Sequence, residues 1–204
     1  MKTASYLLGV ISIGVGLSAF NMNGPIEVGD DAPLQETQML GVDGETTSLL
    51  EAKDENGLLV IFSCNTCPYV LAWEDQYPIL KELADEQRIG MILVNSNSMK
   101  RNGDDSIDAM KEHASEMNYD FPYVVDENNA LADAFEAQTT PHVFLLDGDM
   151  KLVFEGSIND KFENRDKVAT NEWLRDAMQK LGSGNADEID PANTRQTGCS
   201  IKRK

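Results

Sequence analysis

From Leu58 to Phe62 the chain reads Leu-Leu-Val-Ile-Phe without a polar residue, the pattern of a strand buried on both faces of a sheet. The run leads directly into Ser63-Cys64-Asn65-Thr66-Cys67-Pro68. Beyond the cysteines, Val70, Trp73, Tyr77, Leu80 and Leu83 recur at three- and four-residue intervals and predict one face of a helix, which Pro78 should kink or divide. Met91 to Val94 predicts a second strand, followed by the polar Asn95-Ser96-Asn97. Asp105 or Ser106 is placed to cap a helix whose buried stripe is Ile107, Met110, Ala114 and Met117. Tyr123 to Val125 is a short strand, and Asn128 or Asn129 is placed to cap a short helix through Phe135. Thr139-Thr140-Pro141 precedes a strand at His142 to Leu146, which a turn at Asp147-Gly148-Asp149 joins to Leu152–Phe154 as a hairpin. Trp173, Leu174, Met178 and Leu181 supply the buried face of a closing helix. The order is mixed α/β, with a hairpin-like extension expected before Leu58.

The two ends differ from this body. Residues 1–20 carry Lys2 as their sole charge and an apolar run from Tyr6 to Phe20, interrupted by Gly9, Gly14 and Gly16 and too short to span a bilayer comfortably. They are expected to be a cleaved signal peptide, which implies a periplasmic or extracellular protein without stable membrane insertion; an uncleaved N-terminal anchor or a core helix is the alternative. Residues 21–33, rich in Gly, Pro and acidic side chains, read as a linker. One domain is expected over 34–183, and 184–204 reads as a C-terminal tail because apolar residues thin out past Gly182. The 204 residues hold 17 basic and 35 acidic side chains, a net charge of -18 that repels phosphate backbones and anionic membranes, so nucleic acid is excluded as a partner.

The chemistry lies in Cys64 and Cys67. A buried strand ending on Cys-x-x-Cys, with Pro68 opening a helix, is expected to set Cys64 over unpaired backbone N–H groups that favour a thiolate. Cys64 is the expected attacking sulfur and Cys67 the resolving one, two residues being a spacing that lets one sulfur reach the other. The Asn65-Thr66 spacer adds no cation, so modest thiolate stabilisation is expected. An inert disulfide or half of a metal site are the alternatives. A zinc or copper site would need Cys199 with His113 or His142, which are scattered along the chain.

Phe62-Ser63-Cys64-Asn65-Thr66-Cys67-Pro68-Tyr69-Val70, Thr140-Pro141-His142-Val143-Phe144-Leu145, Phe121-Pro122-Tyr123 with Asp126-Glu127, and Gly198-Cys199-Ser200-Ile201-Lys202 together resemble the thioredoxin superfamily, in its peroxiredoxin-like branch of redoxin-domain proteins. The resemblance covers nearly all of the chain after the leader. It implies a thioredoxin-like fold with a central mixed sheet flanked by helices. It also implies a cis peptide before Pro141 facing the cysteines, with the backbone of Thr140 binding an extended substrate chain. The spacer of this branch is usually Asn-His, whereas here it is Asn-Thr. At the positions of the peroxidase motif the chain has Ile61 and Gly57, and where thioredoxin has a deep acidic residue it has Leu58.

The expected function is thiol-disulfide exchange with thiol- or disulfide-bearing proteins or small thiols, served by an upstream electron donor or acceptor and needing no metal or organic cofactor. A thiol peroxidase and a metal-binding module are the competing readings. Cys199 is expected to fold back as an auxiliary thiol, against a free terminal thiol without function. Asn95 and Asn97 are expected as loop caps, with lining of the site as the alternative, His113 as a surface residue, and His142 as a strand residue that either tunes the site or points away.

Overall fold

A computed structural model describes residues 25–163 and 167–204; the expected signal peptide at 1–20 lies outside them. The elements follow the chain as β1 (Met39–Gly41), β2 (Thr46–Thr47), α1 (Leu49–Ala52), β3 (Gly57–Ser63), α2 (Pro68–Trp73), α3 (Tyr77–Glu86), β4 (Ile89–Asn95), α4 (Ile107–Glu116), β5 (Tyr123–Val125), α5 (Ala130–Ala134), β6 (Thr139–Thr140), β7 (His142–Asp147), β8 (Leu152–Gly156), α6 (Trp173–Gly182) and β9 (Cys199–Ser200). A seven-stranded mixed sheet in the order β2-β1-β5-β4-β3-β7-β8 forms the centre, and β6 with β9 makes a separate two-stranded pair.

Every residue of β3 is buried, as its uninterrupted apolar run requires. Because side chains alternate along a strand, that run divides between two cores. Leu59 and Ile61 pack with Trp73, Tyr77, Leu80 and Met178, under the helices α2, α3 and α6. Leu58, Val60 and Phe62 face the opposite side with Leu49, Leu131, Phe135 and Ile201, where Phe62 meets Phe135 and Phe144 edge-to-face. Truncating one such central leucine to alanine costs about 2–5 kcal/mol.

The helix after the cysteines is divided, as Pro78 predicts: a 3-10 turn over Glu74–Gln76 separates α2 from α3, and Pro78 falls in the first turn of α3, where a missing N–H is harmless. Ser106 caps α4, its hydroxyl accepting from the N–H of Ala109. Asn129 holds the N-cap position of α5, but neither it nor Asn128 supplies a side-chain cap. Both adopt left-handed backbone (φ 57° and 63°), and the carboxylate of Asp126 instead receives the N–H groups of Leu131 and Ala132 at 2.9 Å each.

The segments expected as linker and tail are both docked on the body. Ala32 is buried, with Gly29 and Ala32 donating to the carbonyls of Leu152 and Met150. Residues 184–204 return across the sheet, where Thr194 packs on Gly156 and Ile201 enters the second core.

Two registers bring the cysteine loop to its surroundings. Parallel pairing of Ser63 with Asn95 sets the end of β4 beside the end of β3. Antiparallel pairing of Phe62 with His142 brings Thr140-Pro141 across from Cys64.

Candidate functional site

Past Ser63 the chain leaves the sheet, and Pro68 begins α2 at the first helical position, which makes Cys67 the cap residue. The start of the helix therefore serves Cys67 and not Cys64, contrary to the sequence expectation. The sulfur of Cys67 accepts the backbone N–H groups of Val70 and Cys199 and hydrogen-bonds the thiols of Cys64 and Cys199. Cys64 Sγ lies 3.2 Å from Thr140 Oγ1, and Cys67 Sγ lies 3.1 Å from the Thr140 carbonyl oxygen, to which it donates when protonated. The Thr140–Pro141 peptide is cis, as the resemblance implied. All three cysteines are free thiols in this state.

The electrostatics separate the two sulfurs. Donation by the Cys64 thiol is the main influence drawing the Cys67 thiol down, to about 4; the Cys199 thiol and the two backbone N–H groups add to it, while burial opposes it. Cys64 is pushed up, first by sharing its proton with Cys67 and then by burial, with the charge of Asp105 adding and the Thr140 hydroxyl opposing. Burial raises Cys199 to about 11, helped by its bond to Cys67, while the N–H of Tyr69 and the charge of Lys202 act the other way. Cys64 and Cys67 thus share a proton, and the charge of the pair is biased toward Cys67.

The spacer is tied from behind by a carboxylate that sequence reasoning offered only as a helix cap. Asp105 is fully buried, and its Oδ1 accepts the backbone N–H of Asn65 and the side-chain amide of Asn95, each at 2.9 Å. Its Oδ2 accepts from Asn97 at 3.0 Å. Tyr123 completes the group, donating to Asn65 Oδ1 at 2.9 Å and accepting from Asn95 at 3.0 Å. Asn95 and Asn97 thus line the back of the cysteine loop. Their signal in the sequence was a polar triplet directly after a buried strand, the edge where parallel sheets place their sites.

A cation absent from the spacer is supplied from elsewhere: Lys100 Nζ donates to Thr66 Oγ1 and to Asp104 Oδ2, both at 3.0 Å. Lys100 and Lys202 stand with Cys64, Cys67, Thr140 and Cys199 around a cleft of about 190 Å³. Cys64 and Cys67 are only 3% and 5% exposed, so this cleft is their route to solvent. Of these two lysines Lys100 is paired with Asp104, which leaves Lys202 as the cleft's local attraction for anions in an otherwise acidic protein.

Neither histidine joins the sulfurs. His113 is largely buried and meets Glu74 Oε2 at 2.9 Å. His142 is buried with its ring 4.4 Å from that of Phe144, and burial lowers it to about 4. Among the described residues no three His, Cys, Asp or Glu side chains are disposed to hold a metal ion. At the positions of the peroxidase motif, Gly57 opens β3 and Ile61 lies within it, both buried.

The backbone edge of Thr140, expected to receive a substrate chain, is already occupied. β9 pairs with it antiparallel, placing Thr140 opposite Cys199 and Thr139 opposite Ser200.

A family model described as Redoxin matches residues 27–170. An uncharacterized conserved protein from Geobacillus kaustophilus is 29% identical, with a TM-score of 0.78 over 88% of this chain and 93% of its own. A hypothetical protein from Sinorhizobium meliloti 1021 is 26% identical, with a TM-score of 0.80 over 89% and 97%. A putative thiol:disulfide interchange protein from Chlorobium tepidum shares the fold, at 14% identity and a TM-score of 0.57 over 79% and 99%. No curated protein matches the chain.

Proposed function

The chain belongs to the redoxin family of thiol-redox proteins, and from that premise we propose that it exchanges disulfides with thiol-bearing proteins or small thiols through Cys64 and Cys67. The observation that carries this reading is the convergence on Cys67 of two thiols and two backbone N–H groups, which favours a thiolate at neutral pH. That arrangement supports Cys67 as the attacking sulfur and Cys64 as the resolving one, the reverse of the order expected from sequence.

In the forward step the Cys67 thiolate attacks a disulfide R–S–S–R′, forming Cys67–S–S–R and releasing R′–S⁻. Cys64 passes its proton to the departing thiolate and attacks Cys67, closing Cys64–S–S–Cys67 and releasing R–S⁻. Two electrons leave the protein pair, and the partner ends as one thiol and one thiolate, the latter taking its proton from solvent. The Thr140 hydroxyl, 3.2 Å from Cys64 Sγ, donates to that sulfur as it ionises. Lys202 in the cleft lining favours an anionic partner, and a donor or acceptor upstream returns the pair to its starting state.

The apolar run from Tyr6 to Phe20 supports export, which places this exchange outside the cytoplasm, where disulfides persist. The test is the reduction potential of the pair in glutathione buffers, with Cys199→Ser as control. A two-electron transition is expected. A value near -270 mV, thioredoxin's approximate potential, marks a reductant, and one near -120 mV marks an oxidant. A pair that never exchanges overturns the reading, and rapid peroxide consumption would move the protein to the peroxidases.

A further inference from the structure

Cys199 does not merely lie near the active pair. It is held there by a segment anchored on both sides of it. Ser157 N donates to Thr194 Oγ1 and Thr197 N to Ser157 Oγ, both at 3.0 Å, fixing the approach. On the far side Lys202 N donates to Asn97 Oδ1 at 2.8 Å, Met99 N donates to the Lys202 carbonyl at 2.9 Å, and Arg203 pairs with Asp133. Ile201 is buried in the core and gives its N–H to the Gln138 carbonyl at 3.0 Å. Between these anchors Gly198 presses on Thr140 so closely that a Cβ would overlap the Thr140 carbonyl. The strand thus lies antiparallel on the backbone through which the family is expected to hold substrate. Its single cysteine is in register with Thr140 and packed against Cys64 and Cys67.

We propose that Cys199 is a third redox-active thiol that closes a disulfide with Cys67, and that the C-terminal strand carrying it takes the place of a substrate chain on Thr140. The proposal rests on the exchange reading above and adds a step to it. After Cys67 has formed a mixed disulfide with a partner sulfur R, the Cys199 thiol loses its proton and attacks Cys67. The bond Cys67–S–S–R breaks, Cys67–S–S–Cys199 forms, and R–S⁻ leaves with the proton. Cys64 then attacks Cys67, restoring Cys199 to a thiol and closing Cys64–S–S–Cys67. No further oxidant is consumed, because the two electrons reach R in the first exchange and the second only moves the disulfide. Formation of the mixed disulfide also removes the Cys67 thiolate, which after burial is the main influence keeping Cys199 protonated, so one restraint on the third thiol is lifted at that step. The tail competes with a peptide for the same strand edge, so small disulfides that fit the cleft reach Cys67 with the tail in place, and extended chains must first displace it.

The full chain and its Cys64→Ser, Cys64→Ser/Cys199→Ser and Cys64→Ser/Gly198→Val variants are treated with oxidised glutathione, quenched in acid, alkylated and mapped by peptide mass spectrometry. Cys64→Ser is expected to hold a Cys67–Cys199 disulfide, with glutathione on Cys67 at less than a tenth of the level found in Cys64→Ser/Cys199→Ser. Cys64→Ser/Gly198→Val keeps Cys67 and Cys199 but forces the strand off Thr140, and is expected to restore the glutathione adduct. Glutathione retained on Cys67 of Cys64→Ser beside an alkylated Cys199, while the wild-type chain forms Cys64–Cys67, overturns this proposal alone. A wild-type chain that forms no Cys64–Cys67 disulfide under the same conditions overturns the exchange reading and this proposal with it.

Discussion

The carboxylate of Asp105 receives the backbone N–H of Asn65 at 2.9 Å, so a buried charge from the loop before α4 fixes the span between the two cysteines. The same carboxylate takes the amides of Asn95 and Asn97, and through Asn97 it is connected to the backbone of Lys202 in the tail. Position and charge are both set from behind the site, where no substrate reaches.

Asp105→Asn replaces an acceptor with a group that must present one N–H₂ to surroundings already full of donors. Leaving buried donors unsatisfied in this way costs about 3 kcal/mol. The expected result is a urea midpoint lowered accordingly, with the unfolding slope unchanged; an unchanged midpoint would remove Asp105 from its structural role.

The pH dependence of the pair follows from the lowered Cys67 thiol. A group held near 4 is ionised across the neutral range, so exchange should be flat between about pH 5 and 7 and fall only below about 4. Thiolate absorbance near 240 nm reads this directly, and Cys199→Ser, which removes one donor, should move the first step upward. A first thiolate appearing only near the ordinary value of about 8.5 would mean that the donors around Cys67 do not act as described.

Thr140→Val keeps the shape of the side chain and deletes the hydroxyl 3.2 Å from Cys64 Sγ. That hydroxyl opposes the rise of the Cys64 thiol, so its loss should make Cys64 harder to ionise and slow closure of the Cys64–Cys67 bond by about ten- to a hundredfold, the worth of one hydrogen bond to a charged group. Attack by Cys67 should change little. Single-turnover kinetics that separate mixed-disulfide formation from its resolution test the distinction.

His142 gives the fold an acid sensitivity of its own. Its ring is neutral in the folded protein down to about 4, whereas in the unfolded chain it takes a proton near 6.5. The folded state binds fewer protons in that window, so stability falls as pH drops from 6.5 to 4, by about 3 kcal/mol in total, and levels off below. His142→Phe should flatten this portion of the stability profile measured by urea unfolding across pH.

Where the sequence carries long-range order in short-range pattern, the structure could be read from it. Leu58 to Phe62 could only be a strand covered on both faces, and Pro78 dividing the helix after Cys67 follows from the missing N–H. The site was legible in its sulfurs and in Thr140-Pro141, because those motifs are contiguous. Asp105 was not, since a carboxylate before a helical stripe looks like a cap until the parallel register of β3 with β4 brings it under Asn65. Lys100 was missed for a similar reason: it lies outside the spacer and reaches Thr66 only through the fold. The position of the helix start hinged on a single residue. Pro68 set it after Cys67, and this moved the donors, and with them the charge, from one cysteine to the other.

Residues 199–202 are the ones that close the site, and this has a bearing on how it opens. Cys199, Ile201 and Lys202 complete contacts to Thr140, the second core and Asn97. Lifting the strand off Thr140 therefore also draws Ile201 out of the core, so the edge opens as a cooperative local unfolding and not as the fraying of a loose end.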